Sequence, residues 1–328
     1  MRHLLTFGLL LAAPWTALAA EWEPMITDLL KTEKLGFGGN SSVVVDPATG
    51  DVYIWLSDKG IYRSTDQAKT FKPYGAPVKG RTETPGCMMM NPSGPLKTWV
   101  IALVYGAPIM SGDGESLMPL DKKASHVDWV AVDWTDPERQ FVLTLKHEAG
   151  DLLMASEDGG KSFRDVGKGF GPACIFDRKT AVVVQLIPNE MKKPPTRVLA
   201  RTTDGAKTFE KIADFSTRTV PAWHGTTTYW VVDNALITTK DQGKTWDSLG
   251  AVKDGVFGPV FGKDKQHLFV LTKAGIVESK DGGKTWGTSI AAPKEFKGIS
   301  IMTWLAYDPK NDALYLAKMG ADLYRLKR

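Results

Sequence analysis

Cysteine, histidine and net charge are all scarce in this chain. Of its 328 residues 2 are Cys and 5 are His, and no two His stand close enough in the sequence to suggest a metal site. The formal net charge at pH 7 is +4, which is too small to indicate a nucleic-acid partner. The sequence therefore predicts no metal, no cofactor and no nucleic acid.

Extended apolar runs are missing beyond the N-terminus. Arg2 and His3 precede an apolar run from Leu4 to Ala13, and Ala17-Leu18-Ala19 has the small-x-small pattern of a signal-peptide cleavage site. The run is too short to span a membrane, and no Cys follows it as a lipoprotein anchor would require. We expect a signal peptide over residues 1–19 and an exported protein, periplasmic or secreted from a bacterium.

What the chain does contain is an eight-residue pattern that returns at regular intervals. Its clearest copy is SKDGGKTW, from Ser279 to Trp286. Four more good copies and one degenerate copy, SGDGESLM from Ser111 to Met118, precede it. The six copies carry Asp66, Asp113, Asp158, Asp204, Asp241 and Asp281. Consecutive Asp residues lie 37 to 47 positions apart, a period typical of the blades of a β-propeller.

The chemistry of this pattern is that of a tight turn. Asp and Ser side chains form hydrogen bonds with backbone amides of the next few residues, and Gly adopts the positive φ that such a turn needs. The pattern S/T-x-D-x-G-x-T-W/F resembles the Asp box, or BNR repeat, of sialidases, the sortilin luminal domain, xyloglucan-cleaving propeller hydrolases and the photosystem II assembly factor. In those families the box lies away from the central pocket. The resemblance therefore implies that the six Asp residues are structural.

Between the repeats, each period supplies three further segments with strand character. Six repeats indicate six blades, and the segment from Ile301 to Leu326 supplies three strands of a seventh without a repeat. The segment Glu21 to Thr27 belongs to no blade, and its pairing with the last strand would close the ring. We predict an all-β fold, a seven-bladed β-propeller of four-stranded blades in one domain over residues 20–328, with six or eight blades as alternatives.

The two cysteines fall in blades that are not neighbours. Cys87 and Cys174 each stand early in the predicted inner strand of a blade, the second and the fourth. Positions of this kind lie across part of the channel, beyond the roughly 7 Å Cα separation that a disulfide tolerates. We therefore expect two buried thiols, although an exported protein could form the bond.

A ligand site is expected on the face opposite the repeats, where the loops converge on the channel mouth. The strand template places there Asp58, Arg81, Glu83, Lys122, Lys123, His126, Asp128, Trp129, His147, Glu148, Lys192, Lys193, Arg218, Asp254 and Trp304. The predicted ligand-binding residues are Arg81, His126, Trp129, Arg218 and Trp304, and the candidate catalytic carboxylates are Asp58, Glu83 and Asp128. Charged loops of this kind are also compatible with a solvated rim that binds nothing.

Two enzyme classes share the repeat. A sialidase would need three Arg residues around a carboxylate, but the Arg-Ile-Pro motif of that family is absent, and only Arg81, Arg197 and Arg218 fall near the expected face. The run from Gly36 to Ser64 resembles the first blade of the xyloglucan-cleaving hydrolases, and Asp58 matches their catalytic base.

A hydrolase of the second class would lack a partner for this base. Those enzymes take the second carboxylate from another propeller, so Asp58 would have to pair with Asp128 or Glu83 of the same mouth. An isolated Asp in a four-residue turn is also an ordinary turn residue.

The third interpretation is a binding or assembly scaffold without catalysis. In architecture such a protein resembles the photosystem II assembly factor or the sortilin ring. A rigid disc with variable loops offers a broad surface to a ligand. Because no catalytic constellation is recognisable, the sequence favours this interpretation over a glycosidase. The expected partner is a protein or glycan ligand, the expected state is a monomer, and no membrane span is expected.

Overall fold

The computed structural model describes residues 21–91, 98–113, 116–189 and 194–328. The predicted signal peptide, residues 1–19, lies outside these residues. The described chain begins with a short strand, β1 (Glu23–Pro24), and an α-helix, α1 (Thr27–Thr32). Three 3-10 helices occur later, Lys122–Ala124, His147–Ala149 and Lys294–Phe296. Within these ranges no helix has both the length and the apolar character needed to cross a bilayer.

The other elements are strands of seven antiparallel sheets. Blade one has β2 (Asn40–Val45), β3 (Val52–Leu56), β4 (Gly60–Ser64) and β5 (Lys72–Tyr74). Blade two has β6 (Met88–Met90), β7 (Trp99–Ile101), β8 (Ile109–Ser111) and β9 (Met118–Pro119). Blade three has β10 (Val130–Val132), β11 (Val142–Lys146), β12 (Leu152–Ser156) and β13 (Arg164–Gly167). Blade four has β14 (Phe170–Ile175), β15 (Ala181–Ile187), β16 (Thr196–Thr202) and β17 (Glu210–Ala213).

The last three blades complete the ring. Blade five has β18 (Ala222–His224), β19 (Thr227–Val232), β20 (Ala235–Thr239) and β21 (Asp247–Ala251). Blade six has β22 (Gly255–Phe261), β23 (Leu268–Thr272) and β24 (Gly275–Ser279), and a single bridge from Ile276 to Ile290 marks its outer edge. Blade seven has β25 (Thr303–Asp308), β26 (Ala313–Lys318) and β27 (Tyr324–Lys327), with β1 as its fourth strand. The prediction of a seven-bladed β-propeller closed by the N-terminal strand is confirmed.

The closure depends on two side chains of the last blade. Strand β1 pairs antiparallel with β27, and Glu23 stands opposite Arg325. The Arg325 guanidinium donates to the Glu23 carboxylate and to the Gln67 carbonyl of blade one (2.6 Å to the latter). Asp322 Oδ1 accepts from the amides of Met25 and Ile26 at 3.1 and 2.8 Å. The two ends of the chain are therefore joined by charge-assisted hydrogen bonds as well as by the strand pairing.

The repeats form the turns between the third and fourth strands. In the first copy, the Ser64 hydroxyl donates to Asp66 Oδ1 (2.7 Å) and accepts from the Ala68 amide (2.9 Å). Asp66 in turn accepts from the amide and the hydroxyl of Thr70, at 2.9 and 2.6 Å. The same bonds recur around Asp158, Asp204, Asp241 and Asp281. Each repeat caps its own turn.

The degenerate copy keeps this chemistry with a different residue. Asp113 accepts from the Ser111 hydroxyl (3.1 Å) and from the amide and hydroxyl of Ser116 (2.7 and 2.6 Å). Ser116 stands three positions after the Asp, where the other copies use a Thr or Ser four positions after it. The Asp of this copy is therefore still held by a hydroxyl, which stands one position closer to it in the sequence than in the other copies.

Large rings fill the space between adjacent blades. Tyr53 of blade one meets Trp99 of blade two edge to face, with ring centroids 4.9 Å apart. Phe269 of blade six packs on Tyr307 of blade seven at 4.6 Å. All four side chains are buried. Contacts of this kind bury large apolar areas and fix the angle between neighbouring blades.

The strand order assigns the connections to two opposite ends of the ring. Because the strands of each blade alternate in direction, the turns after its first and third strands lie at one end, and the loops after its second and fourth strands lie at the other. Backbone hydrogen bonds link a turn after a first strand to a turn after a third strand. In blade three, for example, the Gly159 amide donates to the Gln140 carbonyl at 2.9 Å. We call the end that carries the repeats the repeat face and the opposite end the loop face.

The first strand of each blade surrounds a central channel that is divided into two cavities. The mouth cavity, of about 250 Å³, opens on the loop face. The repeat-face cavity, of about 560 Å³, occupies the other end. Val220 lines both. It packs against Gly86 of blade two, where an added Cβ would lie 2.4 Å from Val220 Cγ1.

Both cysteines are free and fully buried, as expected. The Cys87 thiol donates to the Asp128 carbonyl at 2.5 Å. Burial raises the pKa of Cys87 to about 12 and raises the pKa of Cys174 as well. Neither thiol therefore has the thiolate character that nucleophilic or redox chemistry needs.

Candidate functional site

Exposed apolar side chains are concentrated on the loop face. Five large apolar residues are exposed among those the structure describes: Phe37, Tyr105, Met118, Ile187 and Ile301. All except Met118 belong to loops of this face or end a strand there. Phe37 and Tyr105 lie together on Arg81, and Ile301 lines the mouth cavity. A contiguous exposed apolar patch typically marks a binding surface. This face also contains the mouth cavity.

The mouth cavity has a polar and charged lining. Asp128 and Trp129 come from the start of blade three, and Asp151 from the loop after its second strand. Arg197 begins the third strand of blade four, and Arg218 precedes blade five. Residues up to 90 positions apart in the sequence thus meet at one opening, because each blade places its two loops on the same face.

Two threonines hold the segment that carries Arg218. The hydroxyls of Thr217 and Thr219 donate to the Val231 carbonyl at 2.7 and 3.0 Å. The Thr219 carbonyl accepts from the buried Trp230 indole at 2.8 Å. The backbone on both sides of Arg218 is therefore fixed to blade five, while its side chain is exposed at the cavity.

The two arginines of the cavity influence each other. Burial lowers the pKa of Arg197, the neighbouring charge of Arg218 lowers it further, and Asp151 partly opposes both effects. Like charges repel, and an anionic group bound beside both guanidinium groups would relieve that repulsion. Because Asp128 and Asp151 line the same cavity, its charges balance, and the two arginines offer a place for one anionic group of a polar ligand.

A second cluster lies on the same face around Arg81. Its guanidinium is stacked between the rings of Phe37 and Tyr105, each centroid 4.9 Å away, and it donates to Glu83 at 3.3 Å. The outer faces of both rings are open, since Phe37 is 76% exposed and Tyr105 69%. Tyr105 also meets His126 edge to face at 5.3 Å. Arg81 itself is buried, so this predicted ligand-binding residue supports two exposed rings.

Two of the three candidate carboxylates lie outside the mouth cavity. Asp58 adopts a positive φ of 63° in its turn, and its Oδ1 accepts from the Gly80 amide at 2.9 Å. Glu83 pairs with Arg81. Only Asp128 of the three lines the cavity, together with Asp151. Of the three, Asp58 is held by its turn and Glu83 by its ion pair with Arg81, and only Asp128 contributes to the lining of the mouth cavity.

Trp304 also departs from its expected place. It belongs to β25 and lines the repeat-face cavity, not the mouth. Trp129 does line the mouth cavity, and it is almost completely buried. Within the described residues neither indole N–H has a hydrogen-bond partner.

The remaining predicted residues surround the rim. His126 Nε2 lies 3.1 Å from Glu148, and Lys123 pairs with Asp165 at 3.1 Å. Lys122 is exposed, Asp254 pairs with Lys273, and His147 begins a 3-10 helix. Lys192 and Lys193 lie outside the described residues. No group of three or more His, Cys, Asp or Glu residues able to hold a metal ion occurs in the described ranges.

Three features of this face were not predicted from the sequence. Asp151 was overlooked because it follows a Gly and looks like an ordinary turn residue. The rings of Phe37 and Tyr105 were also missed. Both stand beside glycines, in Gly36-Phe37-Gly38-Gly39 and Tyr105-Gly106. An aromatic residue within a glycine-rich loop is a signal that could have identified them, since such a loop has little other apolar material to cover the ring.

Comparison with known proteins supports the fold alone. No family model matches the chain, and no curated protein does. YCF48 from Cyanidioschyzon merolae is similar in structure, with a TM-score of 0.51 and 11% identity over 94% of this chain and 99% of that one. The extracellular domain of BT4673 from B. thetaiotaomicron gives a TM-score of 0.55 and 9% identity over 94% of this chain, which spans 40% of that protein chain. A GH74 enzyme of Niastella koreensis gives a TM-score of 0.41 and 12% identity over 88% of this chain and 64% of that one.

Proposed function

We propose that this chain is an exported propeller of the Asp-box class, a monomer that binds a segment of another protein on its loop face without catalysing a reaction. The observation that carries this proposal is the pair of exposed rings, Phe37 and Tyr105, that lie on Arg81 at this face. Phe37, Tyr105, Ile187 and Ile301 are exposed on the same face as the mouth cavity. Aromatic and Arg side chains are the groups that contribute most to protein interfaces.

Two arginines and two aspartates line the mouth cavity, and its arginines favour a segment that presents an acidic side chain to them. Arg218 is exposed, Arg197 is half-buried beside it, and an acidic side chain of a partner would interact with both. Asp128 and Asp151 line the same cavity. They would repel a partner segment that places an acidic side chain beside them instead of beside the arginines. The apolar rim would supply most of the affinity, and the charged cavity most of the specificity.

The first experiment is capture from a periplasmic extract by the purified protein, residues 20–328, with identification of the partner by mass spectrometry. The Arg218→Glu variant should lose the captured protein, and so should a Phe37→Ala, Tyr105→Ala variant. Lys240→Glu is the charge-reversal control, because Lys240 is an exposed cation in a turn of the repeat face. A partner that all variants retain equally would contradict a loop-face site. Peptides that tile the captured protein would then locate the acidic segment.

A glycosidase is the second candidate, because Asp128 and Asp151 line the same cavity. Glycoside hydrolysis commonly uses two carboxylates on either side of the scissile bond. A panel of xyloglucan, other polysaccharides and sialosides tests this directly. Sugar released by the parent protein but not by Asp128→Asn or Asp151→Asn would establish catalysis and overturn the binding proposal.

Export is tested separately. The mature N-terminus of the protein expressed in its native host should lie near Ala20 and be found in the periplasmic or secreted fraction. An intact N-terminus in the cytoplasmic fraction would contradict cleavage of residues 1–19.

A further inference from the structure

The repeat-face cavity is more than twice the size of the mouth cavity and differs from it in chemistry. Its volume of about 560 Å³ is in the range of small-molecule sites. The first strands of blades one, two, five, six and seven form its walls, and Trp134 from the turn of blade three completes them. Gly86 and Val220 are among the residues that line it.

The walls are made of rings and flexible apolar chains. Strand β6 consists of three consecutive methionines, Met88, Met89 and Met90, and all of them line the cavity. Trp223, Phe257, Phe261, Trp304 and Tyr307 face them from the other blades. Methionine is flexible and polarisable and adapts to apolar ligands of different shape. Such a lining fits a flexible hydrocarbon chain.

The charged side chains that line this cavity are positive. Among the described residues that line it, none is acidic, and Lys263 is the one that carries a full positive charge. Lys263 is exposed in the turn after β22, at the opening of the cavity. His224, also exposed, ends β18 and stacks on Phe261 with centroids 5.1 Å apart. The opening is therefore basic and the interior apolar.

We infer that the repeat-face cavity binds an amphipathic anion, a long-chain carboxylate, with its hydrocarbon chain among the methionines and rings and its head group at Lys263. Each methylene removed from water strengthens binding about fourfold, so the hydrocarbon chain supplies the affinity. The carboxylate stays at the opening, where it is solvated and meets Lys263. This site is distinct from the loop-face site, and neither requires the other.

The primary test is calorimetric titration of the purified protein with dodecanoate at concentrations below those that form micelles. We expect saturable binding of one molecule per chain. Hexanoate should bind at least about a hundredfold more weakly, because six methylenes are lost. Absence of saturable dodecanoate binding, or equal affinity for the two acids, would overturn the proposal.

The head-group contact is tested with a pair of lysines in one turn. Lys263→Glu reverses the charge at the opening, so it should weaken the binding of dodecanoate about tenfold. The same substitution should strengthen the binding of dodecyltrimethylammonium, a cation with the same chain length. Lys265→Glu is the matched control, since Lys265 is exposed in the same turn but does not line the cavity. Equal effects of the two substitutions would show that the head group does not lie at Lys263.

The location is tested independently by photo-crosslinking. A dodecanoate analogue with a diazirine near the end of its chain should label β6, β18 or β22, with labelled peptides identified by mass spectrometry. Labelling should be blocked by excess dodecanoate. Labels confined to the loop face or to the outer strands would overturn the assignment.

Discussion

Gly86 and Val220 meet across the channel, although 134 positions separate them in the sequence. A Cβ on Gly86 would lie 2.4 Å from Val220 Cγ1, and Gly86 has a φ of +99°. Only a residue without a side chain fits there without displacement. The contact stands between the polar mouth cavity and the apolar repeat-face cavity, since Val220 lines both.

The Gly86→Ala substitution should therefore destabilise the protein by about 3 kcal/mol, through the clash with Val220 and the strained φ together. Urea unfolding measures this loss. Gly225→Ala is the matched control, because Gly225 also has a positive φ but no atom would lie within 4 Å of its Cβ. The control substitution should lower the free energy of unfolding by about 1 kcal/mol, from backbone strain alone. The Gly86→Ala, Val220→Ala double variant should be more stable than the sum of the single effects predicts, and strict additivity would contradict the contact.

The repeat turns predict an acid-dependent loss of stability. The Ser162 hydroxyl and amide, with the Ser156 hydroxyl, lower the pKa of Asp158 to about 2. An unfolded Asp has a pKa of about 3.9, so the stabilisation is complete above about pH 5 and is lost progressively as the pH falls through 4 towards 2. Asp158→Ala should lower the free energy of unfolding by about 1 to 2 kcal/mol at pH 7.

The same variant provides the pH test. The difference in stability between the parent and Asp158→Ala should shrink as the pH falls from 5 to 2, because the carboxylate that makes the difference becomes protonated. Asp247→Ala, at an exposed position in β21, should change stability by less than about 0.5 kcal/mol. A difference for Asp158→Ala that stays constant over this pH range would show that the turn bonds do not depend on the charge.

The closure of the ring predicts a local effect at the N-terminus. Asp322→Ala removes the acceptor for the amides of Met25 and Ile26 and for the Thr27 hydroxyl. The free energy of unfolding should fall by about 1 to 3 kcal/mol, and hydrogen exchange should increase first in residues 23–27. Glu21→Ala, at an exposed position beside the strand, should do neither. Uniform exchange changes around the ring would argue against a local clasp.

The buried thiols predict slow modification. Because burial raises the pKa of Cys87 to about 12 and Cys174 is also fully buried, a thiol reagent at pH 8 should react with neither in the folded protein. In denaturant without reductant, both should react. Detection of no free thiol in denaturant would mean a disulfide and would contradict the distance argument.

The turns and the blade count followed from the sequence because their interactions are local. Ser64, Asp66 and Thr70 form their bonds within seven consecutive residues, so the pattern of residue types suffices to specify the turn. Regular spacing then indicated six blades, the strand pattern after the last repeat indicated a seventh, and an unassigned N-terminal segment indicated the closure. Even the degenerate copy at Asp113 behaves as a turn, since a hydroxyl is still within reach.

The side-chain directions of the inner strands could not be predicted from the sequence, for a different reason. Their pairing shifts register in β2 between Asn40 and Val43, in β14 between Phe170 and Ala173, and twice in β22. A bulge reverses which side chains face the channel. The strand that carries Trp304 pairs in continuous register. Trp304 was expected at the mouth because the sequence does not show which cavity an inner-strand side chain lines in the closed ring.

The sequence by itself determined the repeating turns and the seven blades, because these depend on contacts between near neighbours and on a regular period. It also indicated the closing strand, because one N-terminal segment was left over and the last blade lacked a fourth strand. Only the tertiary structure decided which residues share a site. Asp128, Asp151, Arg197 and Arg218 come together, and Gly86 reaches Val220, because ring closure brings distant blades to one axis. Contacts between residues so far apart depend on blade angle and strand register, which no local pattern specifies.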